Sequence, residues 1–382
     1  MDEAPGTTLL DCLRHLPDPR CRRGRRYEWS FLVTLVVAAL VQEPGVVRAM
    51  AEWIANHAAE LCAWLGVSPP RMPSLSTVQR TAAQLDLAAL RACLRTLSED
   101  LRAALEAALA PVDDGALKVW ALDGKAVRGA ARRGEPIRVV TLFDQATGVP
   151  VDQVSVGEGG EEIPGGQEVL ANKELSGVLV TGDALHCQRK TCRLVVEQGG
   201  HYLIAVRGNQ PELQRQIEGV FTTPPTADWS PIRDRWEGHS DDHGRLERRS
   251  LEASAEAAWL DWPGARQVLR REYHRYDPAT QREQRLVSYG ITSLPPGAAD
   301  AAQLRDYWRR HWSIENGLHW VKDVLLREDA CQVTAARGAS ALAFLRSMLT
   351  SLYRHSGFGS LATAQRFIRS SVERTLDLIG AI

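Results

Sequence analysis

Three carboxylates stand where a carboxylate is costly unless it has a task. Asp123 lies inside the apolar run VWALDGKAV, and Asp183 closes the apolar run GVLVTGD. An acid in a buried strand destabilises the fold unless it is paired or holds a cation. Glu315 sits in HWSIENGLHW, residues 311–320, among histidines and tryptophans. Residues three, four and seven apart share a helix face. The spacing therefore puts His311, Glu315, His319 and Lys322 on one stripe, with Trp308 a turn before and Trp312, Asn316 and Trp320 beside it. Three chemistries fit that stripe: a zinc site on His311, Glu315 and His319, a buried salt bridge, or a lone carboxylate that joins acids from elsewhere. The zinc reading spreads its ligands over two helical turns and leaves both aspartates unexplained. Asp123, Asp183 and Glu315 together offer hard oxygen donors, which suit Mg2+ or Mn2+ better than zinc.

These acids need a scaffold, and the sequence supplies one. Residues 1–112 read as helical, with apolar positions three and four apart in SFLVTLVVAALVQ, GVVRAMAEWIANHAAELCAWLGV and LAALRACLRTLSEDLRAALEAAL. Between them PPRMPSLSTVQRTAAQLD offers Ser74 or Ser76 as a cap for a helix exposing Thr77, Gln79, Arg80 and Thr81. A DNA-reading helix and a plain surface helix both fit that segment. From 113 to 210 the pattern becomes β-β-β-α-β-α-β, which predicts a mixed sheet with helices on its faces. Residues 211–295 read as a β-rich insertion, and 296–382 as helical again.

Bulk properties narrow the class. With 382 residues, 44% hydrophobic and 24% charged, the chain is globular and large enough for more than one module. Seven cysteines with no C-x-x-C pair argue against a disulfide framework or a zinc knuckle and point to a reducing cytoplasm. The run FLVTLVVAALV, residues 31–41, is too short to span a bilayer and reads as a buried helix, so no membrane partner is expected. A net charge of −1 hides segregation. Residues 118–138 carry six basic residues against two acids, 264–285 carry six against three, and 144–174 carry seven acids against one lysine. Basic faces beside an acidic surface suit a polyanion held along a limited track, and solvated surfaces account for any single run.

The segments ALDGKAVRG (121–129), GDALHCQ (182–188), YLIAVRGNQPEL (202–213), HGRLERR (243–249) and HWSIENGLHWVKDV with REDA (311–330) come in an order that resembles the DDE transposases of bacterial insertion sequences. The likeness is to the ISAs type, the H-repeat-associated proteins, and covers residues 10 to 350. It implies an RNase H-like catalytic core and a catalytic, metal-binding triad of Asp123, Asp183 and Glu315. It implies two Mg2+ ions, with Mn2+ as a substitute, driving phosphodiester cleavage at transposon ends and strand transfer into target DNA. The partners implied are double-stranded DNA, as terminal inverted repeats and as target, and a second copy of the chain on that DNA. Cytoplasmic location, at the nucleoid when DNA-bound, is implied too. DNA contacts are expected from Lys125, Arg128, Arg207, Asn209, Gln210, Arg245, Arg249, His311, His319 and Lys322. Base stacking is open to Trp308 or Trp312, and packing against the sheet is open to all the tryptophans of this helix. Departures are small: GGEEI (159–163) lacks the lysine and asparagine usual there, and Arg207 replaces a usual lysine. An inactive or domesticated DNA-binding relative is the alternative.

Overall fold

The computed structural model describes residues 8–380 except 24, 69–70, 110–116, 134–135, 158–160, 227–229 and 243–244. The expected boundary at 112/113 and part of GGEEI lie outside the described residues.

In chain order the first elements are helices: α1 (Leu9–Arg14), α2 (Trp29–Gln42), α3 (Val47–Asn56), α4 (Ala58–Leu65), α5 (Leu75–Gln84) and α6 (Leu87–Ala108). Then come β1 (Lys118–Val127), β2 (Ile137–Asp144), β3 (Pro150–Val156), α7 (Glu162–Leu170), β4 (Val178–Gly182), α8 (Arg189–Glu197) and β5 (His201–Val206). After α9 (Pro211–Thr222) come four long strands, β6 (Asp234–Asp242), β7 (Arg245–Ser254), β8 (Gln267–Asp277) and β9 (Arg282–Thr292). The chain closes with α10 (Ala301–Arg310), a π-helical turn at Glu315–His319, α11 (Trp320–Val324), α12 (Ala336–His355), α13 (Leu361–Ile368) and α14 (Val372–Leu378).

The strands form a mixed sheet in the order β3-β2-β1-β4-β5-β9-β8-β7-β6. Strands β1, β4 and β5 run parallel, while β2–β3 and every pair from β5 to β6 are antiparallel. The 3-2-1-4-5 order with helices between β3, β4 and β5 is the arrangement anticipated for an RNase H-like core. Strand β9 pairs with β5, so the strands of the β-rich stretch continue the same sheet.

Two compact units emerge, each discontinuous in sequence. One comprises residues 1–112, 124–165 and 313–382, so the first and last helices share a core. Its centre is α2, apolar on every side and buried along nearly its whole length, which is why its sequence imitates a membrane segment. No single described helix is long and apolar enough to cross a membrane. Helix α12 is buried over most of its length too, although it carries Ser340, Ser347, Thr350 and Ser351. Each hydroxyl donates to the carbonyl four residues back, which removes the cost of burying it. The other unit comprises residues 113–123 and 166–312. Its core lines one sheet face with Leu179, Leu203, Ala205, Leu251 and Leu269, covered by Ala301, Leu304 and Trp308 of α10.

Candidate active site

Asp123 and Asp183 are neighbours by register. Strands β1 and β4 pair Ala121 with Thr181 and Leu122 with Gly182, and each aspartate is the next residue along. Adjacent strands lie about 4.8 Å apart and side chains alternate in direction, so both carboxylates leave one face where the parallel pairing ends, Asp123 within β1 and Asp183 just past β4. Asp183 is extended (φ −75°, ψ −179°) and caps a short 3-10 turn, its Oδ1 accepting from the Leu185 and His186 amides at 2.9 and 3.4 Å. Asn209 donates to the Ala184 carbonyl at 2.6 Å and Gln210 to the Cys187 carbonyl at 2.9 Å. These two side chains, expected on DNA, pin the turn that carries Asp183.

His311 reaches the same unit: its Nδ1 lies 3.2 Å from Thr181 Oγ1, two residues before Asp183. Trp308 packs against Gly290, where an added Cβ would come within 2.8 Å of the indole ring. Glycine is needed there because the ring occupies the space. Arg271 of β8 stacks its guanidinium 4.9 Å from the Trp308 ring centre, and neither it nor Arg207 has an acidic partner among the described residues. Burial, helped by the nearby positive charge of Arg207, pushes the Arg271 guanidinium below its ordinary value.

Glu315 sits in the other unit, on the π-turn. The sequence pattern predicts a continuous helix from 301 to 326. Instead α10 stops at Arg310, the chain turns at His311 and Trp312, and the helix resumes wound wider, as at many functional sites. The single stripe is therefore split, with His311 on one side of the break and Glu315, His319 and Lys322 on the other. His319, only 4% exposed, donates from Nδ1 to Glu315 Oε2 at 3.1 Å. That hydrogen bond, against the opposing effect of partial burial and with help from the charges of His319, Lys125 and Arg128, holds the Glu315 carboxyl below the usual range. Arg354, buried and pushed down to about 10 by that burial, donates to the Gly317 carbonyl inside the π-turn and to the Gly148 carbonyl at 2.6 Å.

Beneath Glu315 lies a buried charge network. Lys322 Nζ is 3.2 Å from Glu328 Oε2, with the two side chains 1% and 0% exposed. Lys125 approaches Asp323 at 2.8 Å and Glu328 and Asp329 at 3.6 Å. Arg346 donates to the carbonyls of Leu326 at 3.1 Å and Pro44 at 2.5 Å. Burial pushes the Glu328 carboxyl up, but Lys322, Arg346 and Lys125 outweigh it and hold the group low. The glycines of DGKAVRG make this packing possible. A Cβ at Gly124 would collide with the Glu162 carboxyl group, and one at Gly129 would collide with the Cys331 carbonyl oxygen.

Residues 115–352 match the family described as the transposase DDE domain, and residues 10–97 match the DDE_Tnp_1-associated family. The chain belongs to the DDE transposases. The "Putative transposase YncI" of Escherichia coli O157:H7 is 26% identical over 361 residues, covering 91% of this chain and 87% of that protein. The "H repeat-associated putative transposase YhhI" of Escherichia coli K12 is 26% identical over 266 residues, 67% of this chain and 69% of that one. Among solved structures, a piggyBac transposase synaptic complex with hairpin DNA aligns with a TM-score of 0.45 at 10% identity, covering 94% of this chain and 74% of that one.

In this transposase the basic residues expected on DNA divide by placement. Arg128, with its side chain 81% exposed, and Arg207 are open to solvent. Arg245 lies 3.8 Å from Asp277, and Arg249 pairs with Glu247 and stacks 5.5 Å from the Tyr273 ring centre. Lys125 and Lys322 are buried in ion pairs, where a phosphate would have to displace an acid to reach them. Of the tryptophans expected to seat the helix, Trp308 does so at 6% exposure, while Trp312 and Trp320 stand 63% and 51% exposed. Sequence reasoning assigns no role to Thr181, Arg271, Arg354, Glu328 or Arg346. The REDA segment is visible as a signature, and the structure buries its Glu328 against Lys322.

Proposed function

We propose that Asp123, Asp183 and Glu315 work together as the carboxylates of a centre that cuts DNA at transposon ends and transfers the cut strand to a target. The register that sets Asp123 beside Asp183, where the parallel pairing of β1 and β4 ends in a transposase, carries this reading. The donors suit a divalent hard cation. Asp183 spends only Oδ1 on backbone amides and leaves Oδ2 unengaged among the described residues, and the Glu315 side chain is 52% exposed. A bound Mg2+ or Mn2+ would polarise the scissile phosphate and lower the pKa of the attacking hydroxyl or water. The chain's own work is positional. His319 keeps Glu315 ionised, Asn209 and Gln210 fix the turn behind Asp183, and Arg207 and Arg271 bring positive charge to the same sheet face for the phosphate backbone. Duplex DNA is the substrate, with terminal inverted repeats as the cut site. A second copy of the chain holds the second end, in the cytoplasm of a bacterial cell.

Cleavage of a duplex bearing the repeats that flank the gene, assayed with Mg2+, tests this. Asp123→Asn, Asp183→Asn and Glu315→Gln should each lower cleavage at least ~100-fold while DNA binding persists. Cleavage retained in Asp183→Asn refutes the assignment. A wild-type chain that binds but never cuts would identify an inactive DNA-binding relative.

A further inference from the structure

A π-wound turn is rare, because α winding suits most sequences better, so the surroundings have to favour the wider path. At Glu315–His319 the Trp320 amide donates to the Glu315 carbonyl, and the middle residue of the turn is Gly317. A side chain that inserts into the helical ladder is one of the few causes of such a distortion. Here that side chain is Arg354, from the last turn of α12, whose Nη2 donates to the Gly317 carbonyl. The approach is close. A Cβ at Gly317 would come within 3.2 Å of Arg354 Nη2 and 3.3 Å of the Phe143 ring, and glycine lets the backbone settle against both.

The other arm of the same guanidinium reaches a second loop. Nη1 donates to the Gly148 carbonyl at 2.6 Å, in the turn between β2 and β3. That turn is a firm anchor. The Gly148 amide donates to the Asp144 carbonyl at 2.9 Å, and Asp144 Oδ1 accepts from the Ala146 and Thr147 amides at 2.8 and 3.2 Å. Gly148 has φ +71°, and a Cβ there would come within 2.6 Å of Arg354 Nε. Phe143 lies 6.0 Å from the guanidinium, which has no acidic partner among the described residues. Keeping a guanidinium from water without a carboxylate is costly, so its two carbonyl contacts have to be well made. Arginine suits the place because its planar fork points donors in two fixed directions, which a lysine cannot do. All of these residues belong to the unit that contains Glu315.

We propose that Arg354 is a positioning residue for the metal-binding carboxylate of Glu315, bridging the Gly317 and Gly148 carbonyls so that the turn keeps its wide winding. It rests on the reading of Glu315 as a cation ligand. Without the bridge the turn relaxes toward α winding, the Glu315 side chain rotates, and the cation loses an oxygen held in place.

Hydrogen–deuterium exchange of the metal-free protein, together with the Mg2+ dependence of cleavage, tests this. In Arg354→Gln the amides of 315–321 should exchange at least ~tenfold faster. The Mg2+ concentration for half-maximal cleavage should rise about tenfold, as when a group that orients a ligand is lost, with the dissociation constant for DNA unchanged. Arg354→Lys keeps the charge, loses the fork and should behave like Arg354→Gln. Gly148→Ala displaces the guanidinium from its far end and should raise the Mg2+ requirement as well. Gly66→Ala carries similar left-handed strain (φ +64°) with no atom within 4 Å of the new Cβ, and should leave that requirement unchanged. Thermal melts by circular dichroism establish that each variant folds. A folded Arg354→Gln with wild-type exchange at 315–321 overturns the proposal. Faster exchange with an unaltered Mg2+ requirement overturns it too, because Arg354 would then brace the helix and nothing more. Neither result touches the catalytic reading, which fails separately if Asp183→Asn still cleaves DNA.

Discussion

His319 Nδ1 donates to Glu315 Oε2 at 3.1 Å, across a single π-turn of backbone. An acid that must bind a cation has to be ionised first, and this hydrogen bond is the largest influence lowering the Glu315 pKa. His319→Ala should return that carboxyl toward its ordinary range. The acidic limb of the pH–cleavage profile would then move to higher pH, while the alkaline plateau changes less. A limb that stays in place would mean that His319 does not tune Glu315.

The Lys322–Glu328 pair lies at 1% and 0% exposure, so removing one partner strands the other charge. Lys322→Met should cost about 3–5 kcal/mol of stability, and Lys322→Met with Glu328→Met should recover much of that loss. Chemical denaturation of the three proteins measures both numbers. Because the Glu328 carboxyl is held low in the fold, its contribution is present above the unfolded carboxylate range and is lost as pH falls through the folded pKa. Glu328→Gln should therefore remove part of the wild-type's acid sensitivity.

Asn209 and Gln210 donate to the carbonyls of the turn behind Asp183. If that is their task, Asn209→Ala should reduce kcat for cleavage, by roughly tenfold for a misplaced carboxylate, and leave the dissociation constant for DNA almost unchanged. An unchanged kcat with weakened DNA binding would assign Asn209 to the DNA instead.

Arg271 is held on the Trp308 ring with Arg207 close by. Arg271→Gln should flatten the salt dependence of DNA binding by about one unit of slope. The same substitution should spare the melting temperature, because no acid loses its partner. A lower melting temperature with an unaltered slope would make Arg271 a packing residue.

Much of this architecture is legible in the sequence, and the reasons are physical. Strands announce an anomalous acid clearly, because the residues leading up to Asp123 and Asp183 in VWALD and GVLVTGD are mostly apolar; the register that pairs Leu122 with Gly182 then sets the two aspartates side by side. The largely apolar α2 is readable as buried because its apolar run is too short to span a bilayer. The helix of Glu315 departs from its pattern in one respect, since periodicity assumes a constant 3.6 residues per turn, and the break at His311–Trp312 and the π-turn both violate it. Lys125 and Lys322 look like phosphate ligands in the sequence because their acidic partners Glu328 and Asp323 come from a segment whose approach no local pattern encodes.

The π-turn also decides how tolerant this stretch is to changes in length. A wide turn holds a residue more than an α-helical turn of the same rise, so it takes up one extra residue without rephasing the helical segments on its two sides. Deleting one residue from 315–319 would let this stretch wind as an ordinary α-helix, with Lys322 still facing Glu328 and the Gly317 carbonyl withdrawn from Arg354. A deletion in the α-helical turn that follows has no such slack and would rotate everything after it by about 100°.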